Sequence, residues 1–253
     1  MRRRWTAAAL AALALAGCGS SSSDTASKPN LTVSAAASLK AAFTAYAQQF
    51  AAANVRYSFA GSDVLAAQIE QGVKPDVFAS ANTKLPDMLY AKGLVAKPVT
   101  FAANKLVIAV PANSKIAGLS DLEKSGVKIA IGSPTVPIGA YTRMVLAKAG
   151  GAANSKILAN VRSQEPDVSG IVGKLTQGAV DAGFTYVTDV TATKGALKAI
   201  ALPASLQPVV AYGVAVVKGS PHPAQAEQFI AGLLSGAGQT QLQNAGFLPP
   251  PAK

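Results

Sequence analysis

Short apolar runs alternate with helical patterns along this chain, and that rhythm limits the fold more than any other feature. Val55, Tyr57 and Phe59 alternate in NVRYSFA, the pattern of a strand with two unlike faces. DVFASA (76–81), KLVIAV (105–110), VKIAIG (127–132) and AGFTYV (182–187) are apolar runs of strand length bounded by turn residues. Between them, Val64-Leu65-Ile69 and Val168-Ile171-Val172-Leu175 recur at helical spacing. Strands that alternate with helices predict an α/β protein with mainly parallel sheets flanked by helices. Two longer extended runs, 101–111 and 208–219, suit crossover strands between two lobes. One lobe is then 30–103 plus 212–250, and the other is 104–211. A cleft lies between the carboxyl ends of their strands, able to close by a hinge. The same periodicity leaves one continuous domain open as the alternative.

The N-terminus reads differently. MRRRW is a charged start, followed by TAAALAALALAG, an apolar stretch too short to span a bilayer. It ends in LAGC (15–18), which resembles the lipobox of bacterial lipoproteins, with Cys18 the lipidated first residue after cleavage. An ordinary signal peptide with an incidental cysteine is the alternative. Residues 1–17 are thus expected to be a signal peptide, and 18–29 a polar tether with too little apolar content to fold. The protein is expected outside the cell, anchored to the outer face of the membrane. Cys18 is the single cysteine, so no internal disulfide or cysteine metal cluster can form.

The net charge of +11 raises the question of nucleic acid. Removing Arg2, Arg3 and Arg4 with the leader lowers it by three, to +8. The remaining lysines are scattered, without a basic block or interleaved aromatics, which reads as a solvated surface.

The chemistry lies where strands feed helices. SAAASLKAAF (34–43) places Ser38 before Leu39, Phe43, Tyr46 and Phe50, one face of a helix, where it suits an N-cap. Gly61-Ser62 follows the strand NVRYSFA and opens a second helix ending near Gly72. Pro137 suits the first turn of a helix beginning near Ile138. Asp167-Val168 opens another. Free N–H groups and partial positive charge make such helix starts anion sites.

These residues carry a resemblance. AAASL (35–39), SFAGSDVLAAQIEQG (58–72), PDVFASAN (75–82), VPIGAYT (136–142), EPDV (165–168) and GFTYVTD (183–189) follow in order. Together they resemble the molybdate-binding proteins of bacterial ABC importers, over most of 31–248. The resemblance implies the two-lobe type II periplasmic-binding fold and an oxyanion, molybdate or tungstate, held by neutral donors. It implies hydroxyl and N–H donors at Ser38 and Ser62, backbone N–H groups at Ile138 and Val168, and the phenol of Tyr186. Molybdenum is bound only as the oxyanion, with no other cofactor. The implied partner is a membrane permease, and the expected state is a monomer. Several positions depart from the family pattern: Gly61 where many relatives have Ser, Ile138 in place of a smaller residue, and Asn82 for a common Asp. Asp63 would repel a dianion unless turned outward or protonated.

Two other functions remain to be weighed. A binding protein for sulfate or phosphate is the nearer one. A hydrolytic enzyme on the same fold is the other, but the sequence carries no nucleophile elbow, P-loop, paired-carboxylate or metal-ligand spacing. The single histidine, His222, lies between prolines before a helix and reads as a surface residue rather than a base.

Overall fold

The structure, a computed structural model, describes residues 28–251. The expected signal peptide, Cys18 and nearly all of the expected tether lie outside the described residues. Two five-stranded sheets organise the chain. The first contains β1 (Asn30–Ala36), β2 (Asn54–Ala60), β3 (Val77–Ser80), β4 (Val99–Asn104) and β10 (Val210–Val216), in the order β2-β1-β3-β10-β4. The second contains β5 (Leu106–Pro111), β6 (Ile129–Gly132), β7 (Val161–Glu165), β8 (Ala182–Tyr186) and β9 (Leu197–Ala201), in the order β7-β6-β8-β5-β9.

Both sheets are mixed, but only one strand in each runs against the others. β1 pairs in parallel with β2 and β3, and β6 with β7 and β8. β10 is antiparallel to both β3 and β4, and β5 is antiparallel to both β8 and β9. The two exceptions are the strands that arrive from the other sheet. A strand that begins at the junction must run away from it, whereas the remaining strands run towards it. The parallel strands therefore end at the junction, eight carboxyl ends in all, four from each sheet.

Helices cover the sheets as the periodicity predicts. α1 (Lys40–Ala47), α8 (Pro223–Ser235) and α9 (Ala237–Asn244) lie on one face of the first sheet, and α2 (Ser62–Glu70) and α3 (Lys84–Ala91) on the other. Alternation along β3 shows the two faces, since Val77 and Ala79 belong to one core cluster and Phe78 to the other. Phe43, Tyr46 and Phe50 pack their rings on Phe229 with centroids 4.8–5.6 Å apart, which fixes the helical face read from 39–50. α4 (Pro137–Ala149) and α6 (Val168–Thr176) pack on the second sheet, with α5 (Gly151–Ala159) beside α4 and α7 (Val187–Ala192) beside β9. β3 and β8 are buried at every residue, which explains why their sequences run apolar without alternation.

The crossings fall inside the two long extended runs. β4 ends at Asn104 and β5 starts at Leu106, so Lys105 alone joins the sheets there. The return passes through 202–209. Strand pairing sets Asn104 opposite Val210 and Ala103 opposite Ala211. Asn104, Val210 and Ala211 thus belong to the first sheet, not to the segment 104–211 assigned to the other lobe. Hydropathy does not break at either crossing because strands on both sides are buried, so only pairing marks the boundary.

One buried carboxylate ties the first sheet together. Asp76 Oδ2 accepts hydrogen bonds from Thr32 N at 2.6 Å and Thr32 Oγ1 at 2.8 Å, and Oδ1 accepts from Ser220 Oγ at 2.6 Å. His222 does not stand free on the surface: its Nδ1 lies 3.4 Å from Asp76 Oδ1, with its side chain 30 % exposed. Burial pushes the Asp76 carboxyl up, but the Ser220 and Thr32 hydrogen bonds, with His222 nearby, hold it below its ordinary value. A depressed carboxylate stabilises the fold above its unfolded pKa, about 3.8, and that contribution is lost as pH falls through the lower folded value. Asp76→Ala should lower unfolding free energy at neutral pH by at least about 1–3 kcal/mol, because several buried donors lose their acceptor. It should also flatten the acid limb of the stability curve. Urea unfolding from pH 7 to 3 checks both.

Candidate functional site

The five residues singled out in the sequence lie on strand ends and helix starts around one cavity. After β1 the chain makes a 3₁₀ turn, Ala37–Leu39, before α1. Ser38 is buried in that turn and makes no capping bond; its Oγ lies 3.0 Å from the phenol oxygen of Tyr212. Ser62 is the first residue of α2, with Gly61 at the N-cap. Its Oγ accepts the N–H of Ala81 at 3.1 Å. Neither serine is a side-chain cap: the Ser38 hydroxyl, expected as an N-cap, is engaged by Tyr212 of β10, and the Ser62 hydroxyl by the backbone just after β3. That engagement matters: Ser62 Oγ receives a hydrogen bond from the backbone, which leaves its own proton free to point elsewhere.

In the second half the donors are backbone groups. Pro137 stands at N1 of α4 and has no N–H, so Ile138 carries the first amide of that helix, and no side chain caps it. Asp167 caps α6 and accepts from Ser169 N at 2.8 Å and Gly170 N at 3.3 Å. That leaves the amide of Val168, the first residue of the helix, outside the cap. Tyr186 ends β8 and is fully buried, and its hydroxyl has no hydrogen-bond partner among the described residues.

Ser38, Ser62, Ile138, Val168 and Tyr186 all line one narrow cavity at the sheet junction, with a free volume of about 10 Å³. A wider groove opens beside it, lined partly by Lys40, Thr44, Gln48 and Thr193, but it shares only Ser38 of the five. The narrow cavity is therefore the place where the donors converge. Among the described residues its lining includes no Lys, Arg or His, and Asp167 is its one carboxylate. The site can offer hydrogen-bond donors and helix N-termini to an anion, and no counter-charge.

Burial shapes the ionisable groups nearby. The Tyr186 and Tyr212 phenols are driven well above their ordinary range by desolvation, so both remain protonated donors at any physiological pH. Asp189, whose Oδ2 accepts Tyr186 N at 3.0 Å, is pushed up to about 7 by burial, with nearby Asp167 adding to the shift.

Two residues that looked awkward in the sequence span the junction. Asp63 does not face the cavity as an open charge: its Oδ2 accepts the Thr135 hydroxyl at 2.5 Å, a bond from α2 of the first half to the loop before α4 of the second. Gly61 approaches the second half so closely that a Cβ there would lie 2.4 Å from the carbonyl oxygen of Pro166. Sequence reasoning missed Thr135, Asn104 and Tyr212, the partners across the junction and behind Ser38. Tyr212 in PVVAYGVAVV reads as a core residue of a strand, and no spacing signal could have tied it to a serine 174 residues away.

Two lobes joined by two crossings, with a donor-lined cavity between facing strand ends, define an extracellular solute-binding protein of the ABC-importer type. The chain belongs to the bacterial extracellular solute-binding protein family, which matches residues 31–248. It is 37% identical over 251 residues to the molybdate-binding protein ModA of Mycobacterium tuberculosis, covering 93% of each chain. It is 32% identical to the putative ABC transporter substrate-binding lipoprotein YvgL of Bacillus subtilis, covering 95% of each. The solved periplasmic molybdate-binding protein of Azotobacter vinelandii superposes with a TM-score of 0.77 at 24% identity, over 87% of this chain and 100% of that one.

The Gly61 contact yields a direct test of the junction. Gly61→Ala should prop the halves apart and break the Asp63–Thr135 bond. Small-angle scattering should then report a larger radius of gyration than for the parent protein under the same conditions. An unchanged radius would show that Pro166 yields instead.

Proposed function

We propose that this protein captures molybdate, and tungstate equally well, and hands it to the membrane permease of an ABC importer. The observation that carries the reading is the buried Tyr186 hydroxyl without an acceptor, in the same cavity as two serines and two helix starts. A buried unpaired hydroxyl costs about 1–3 kcal/mol, and an oxyanion entering the cavity removes that cost. The likeness to proteins named for molybdate supports the choice of ion. The protein acts as a monomeric carrier rather than an enzyme. Its lobes divide at Lys105 and within 202–209, and they close around the ion. Export and anchoring through Cys18 fit the LAGC motif and the likeness to a protein named as a lipoprotein.

Selectivity follows from the kind of groups present. Phosphate near neutral pH carries a proton, and the one acceptor in the lining, Asp167, is already engaged in capping its own helix, so that proton leaves its hydrogen bond poorly made. Molybdate, tungstate and sulfate are unprotonated tetrahedral dianions there, so size must separate them. Donors held on helix ends in two lobes would be stretched around the smaller sulfate. The expected order is molybdate about equal to tungstate, then sulfate, then phosphate.

Calorimetry should find one molybdate per chain, and saturation at a hundred times the dissociation constant should add about 2.7 kcal/mol of stability. Ser38→Ala, Ser62→Ala and Tyr186→Phe each remove a donor to a charged acceptor, worth about 1.5–3 kcal/mol. Each should weaken binding by roughly tenfold to more than a hundredfold, whereas His222→Ala should leave it unchanged. Sulfate displacing molybdate at comparable concentration would assign the cavity to sulfate instead. Cys18→Ser should move the protein from the membrane pellet to the soluble fraction with binding intact. Protein still in the pellet would end the lipoprotein assignment.

A further inference from the structure

Behind Ser38 lies a chain of polar groups that the binding reading leaves without a role. Tyr212, near the start of β10, is completely buried, and its phenol oxygen is 3.0 Å from Ser38 Oγ. Asn104, the last residue of β4, sits behind it with its Nδ2 3.5 Å from the Tyr212 oxygen and 2.9 Å from Thr188 Oγ1. The orientation of the Asn104 amide is not arbitrary. Its Oδ1 accepts Lys105 N at 2.9 Å, and a backbone N–H can only donate. Nδ2 must therefore face Tyr212 and Thr188.

We propose that Asn104 and Tyr212 are positioning residues that set the polarity of the oxyanion site by turning the Ser38 hydroxyl proton into the cavity. The order of donors leaves no other arrangement that satisfies every group. Asn104 presents only N–H on that side, so a Tyr212 proton aimed at it would be repelled. The Tyr212 O–H then points the other way and donates to Ser38 Oγ. Ser38, already accepting, has its own proton free for the cavity that it lines. The 3.5 Å link is the weakest in the chain and acts through the N–H dipole. Each bond in such a series polarises the next, which makes Ser38 a better donor than an isolated serine. Ser62 gains the same polarity from a backbone amide, Ala81 N. The relay starts at the crossing between the lobes, and through Thr188 on α7 it also touches the second one. The fixed geometry of the junction is thereby passed to a ligand group.

The inference rests on Ser38 being a ligand donor, and the test separates the two ideas. Molybdate affinity is measured by calorimetry for Ser38→Ala, Tyr212→Phe and the double variant. Tyr212→Phe alone should weaken binding about three- to tenfold, with little change in the apo unfolding midpoint. In the Ser38→Ala background the same change should cost almost nothing. Equal losses in both backgrounds, or no loss from Tyr212→Phe alone, overturn the relay while the donor site stands. Ser38→Ala binding like the parent overturns both. Asn104→Asp provides a second cycle should Tyr212→Phe fold poorly. A carboxylate there accepts the Tyr212 proton and draws the Ser38 proton back from the cavity. Its added charge weakens binding in either background. The loss should be at least several-fold larger when Ser38 is present, and equal losses with and without Ser38 overturn the proposal.

Discussion

A hydroxyl buried without an acceptor is an expense that a fold rarely keeps, and the Tyr186 phenol is such a group. Much of the architecture makes sense as a means of collecting donors around that point. Strand β8 carries Tyr186 to its carboxyl end, and burial keeps the phenol protonated. Two helix starts and two serines already hydrogen-bonded to groups behind them complete the set. Neutral donors suit a carrier. They hold a dianion by many moderate bonds, and the lobes can part without separating a buried ion pair.

The direction of the strands explains why site and hinge are neighbours. In each sheet the reversed strand is the one that arrives from the other sheet, so both crossings start or finish beside the parallel strand ends. With both crossings beside the cavity, a small rotation about them would change the spacing of its lining groups all at once. Asn104 belongs to the hinge by sequence and to the site by its hydrogen bonds.

Two residues that looked awkward for an anion site, Asp63 and Gly61, make contacts across the junction. Asp63 spends one carboxylate oxygen on Thr135 of the facing half, which turns a charge that would oppose a dianion into a clasp. Gly61 lets backbone meet backbone at Pro166, where a side chain would hold the halves apart. Both contacts exist only when the two halves meet.

The α/β rhythm, the helix starts at Pro137 and Asp167, and the strand carrying Tyr186 were legible in the sequence because each depends on local rules. Apolar period, proline at a first turn and an aspartate cap act within a few residues. The motif order also singled out five of the residues that line the cavity. Local rules went astray where a residue had a distant partner. Ser38 and Ser62 look like caps to any short-range reading, yet their hydroxyls answer to Tyr212 and Ala81. His222 looks exposed until the fold brings Asp76 beside it. The crossing residues were blurred because burial on both sides erases the hydropathy change that marks a boundary. Sequence by itself determined which segments become strands and helices, and which donors stand at their ends, since those follow from backbone sterics and short-range hydrogen bonding. Only the tertiary structure decided where the donor protons point, because a hydroxyl takes its direction from whichever group the fold places behind it.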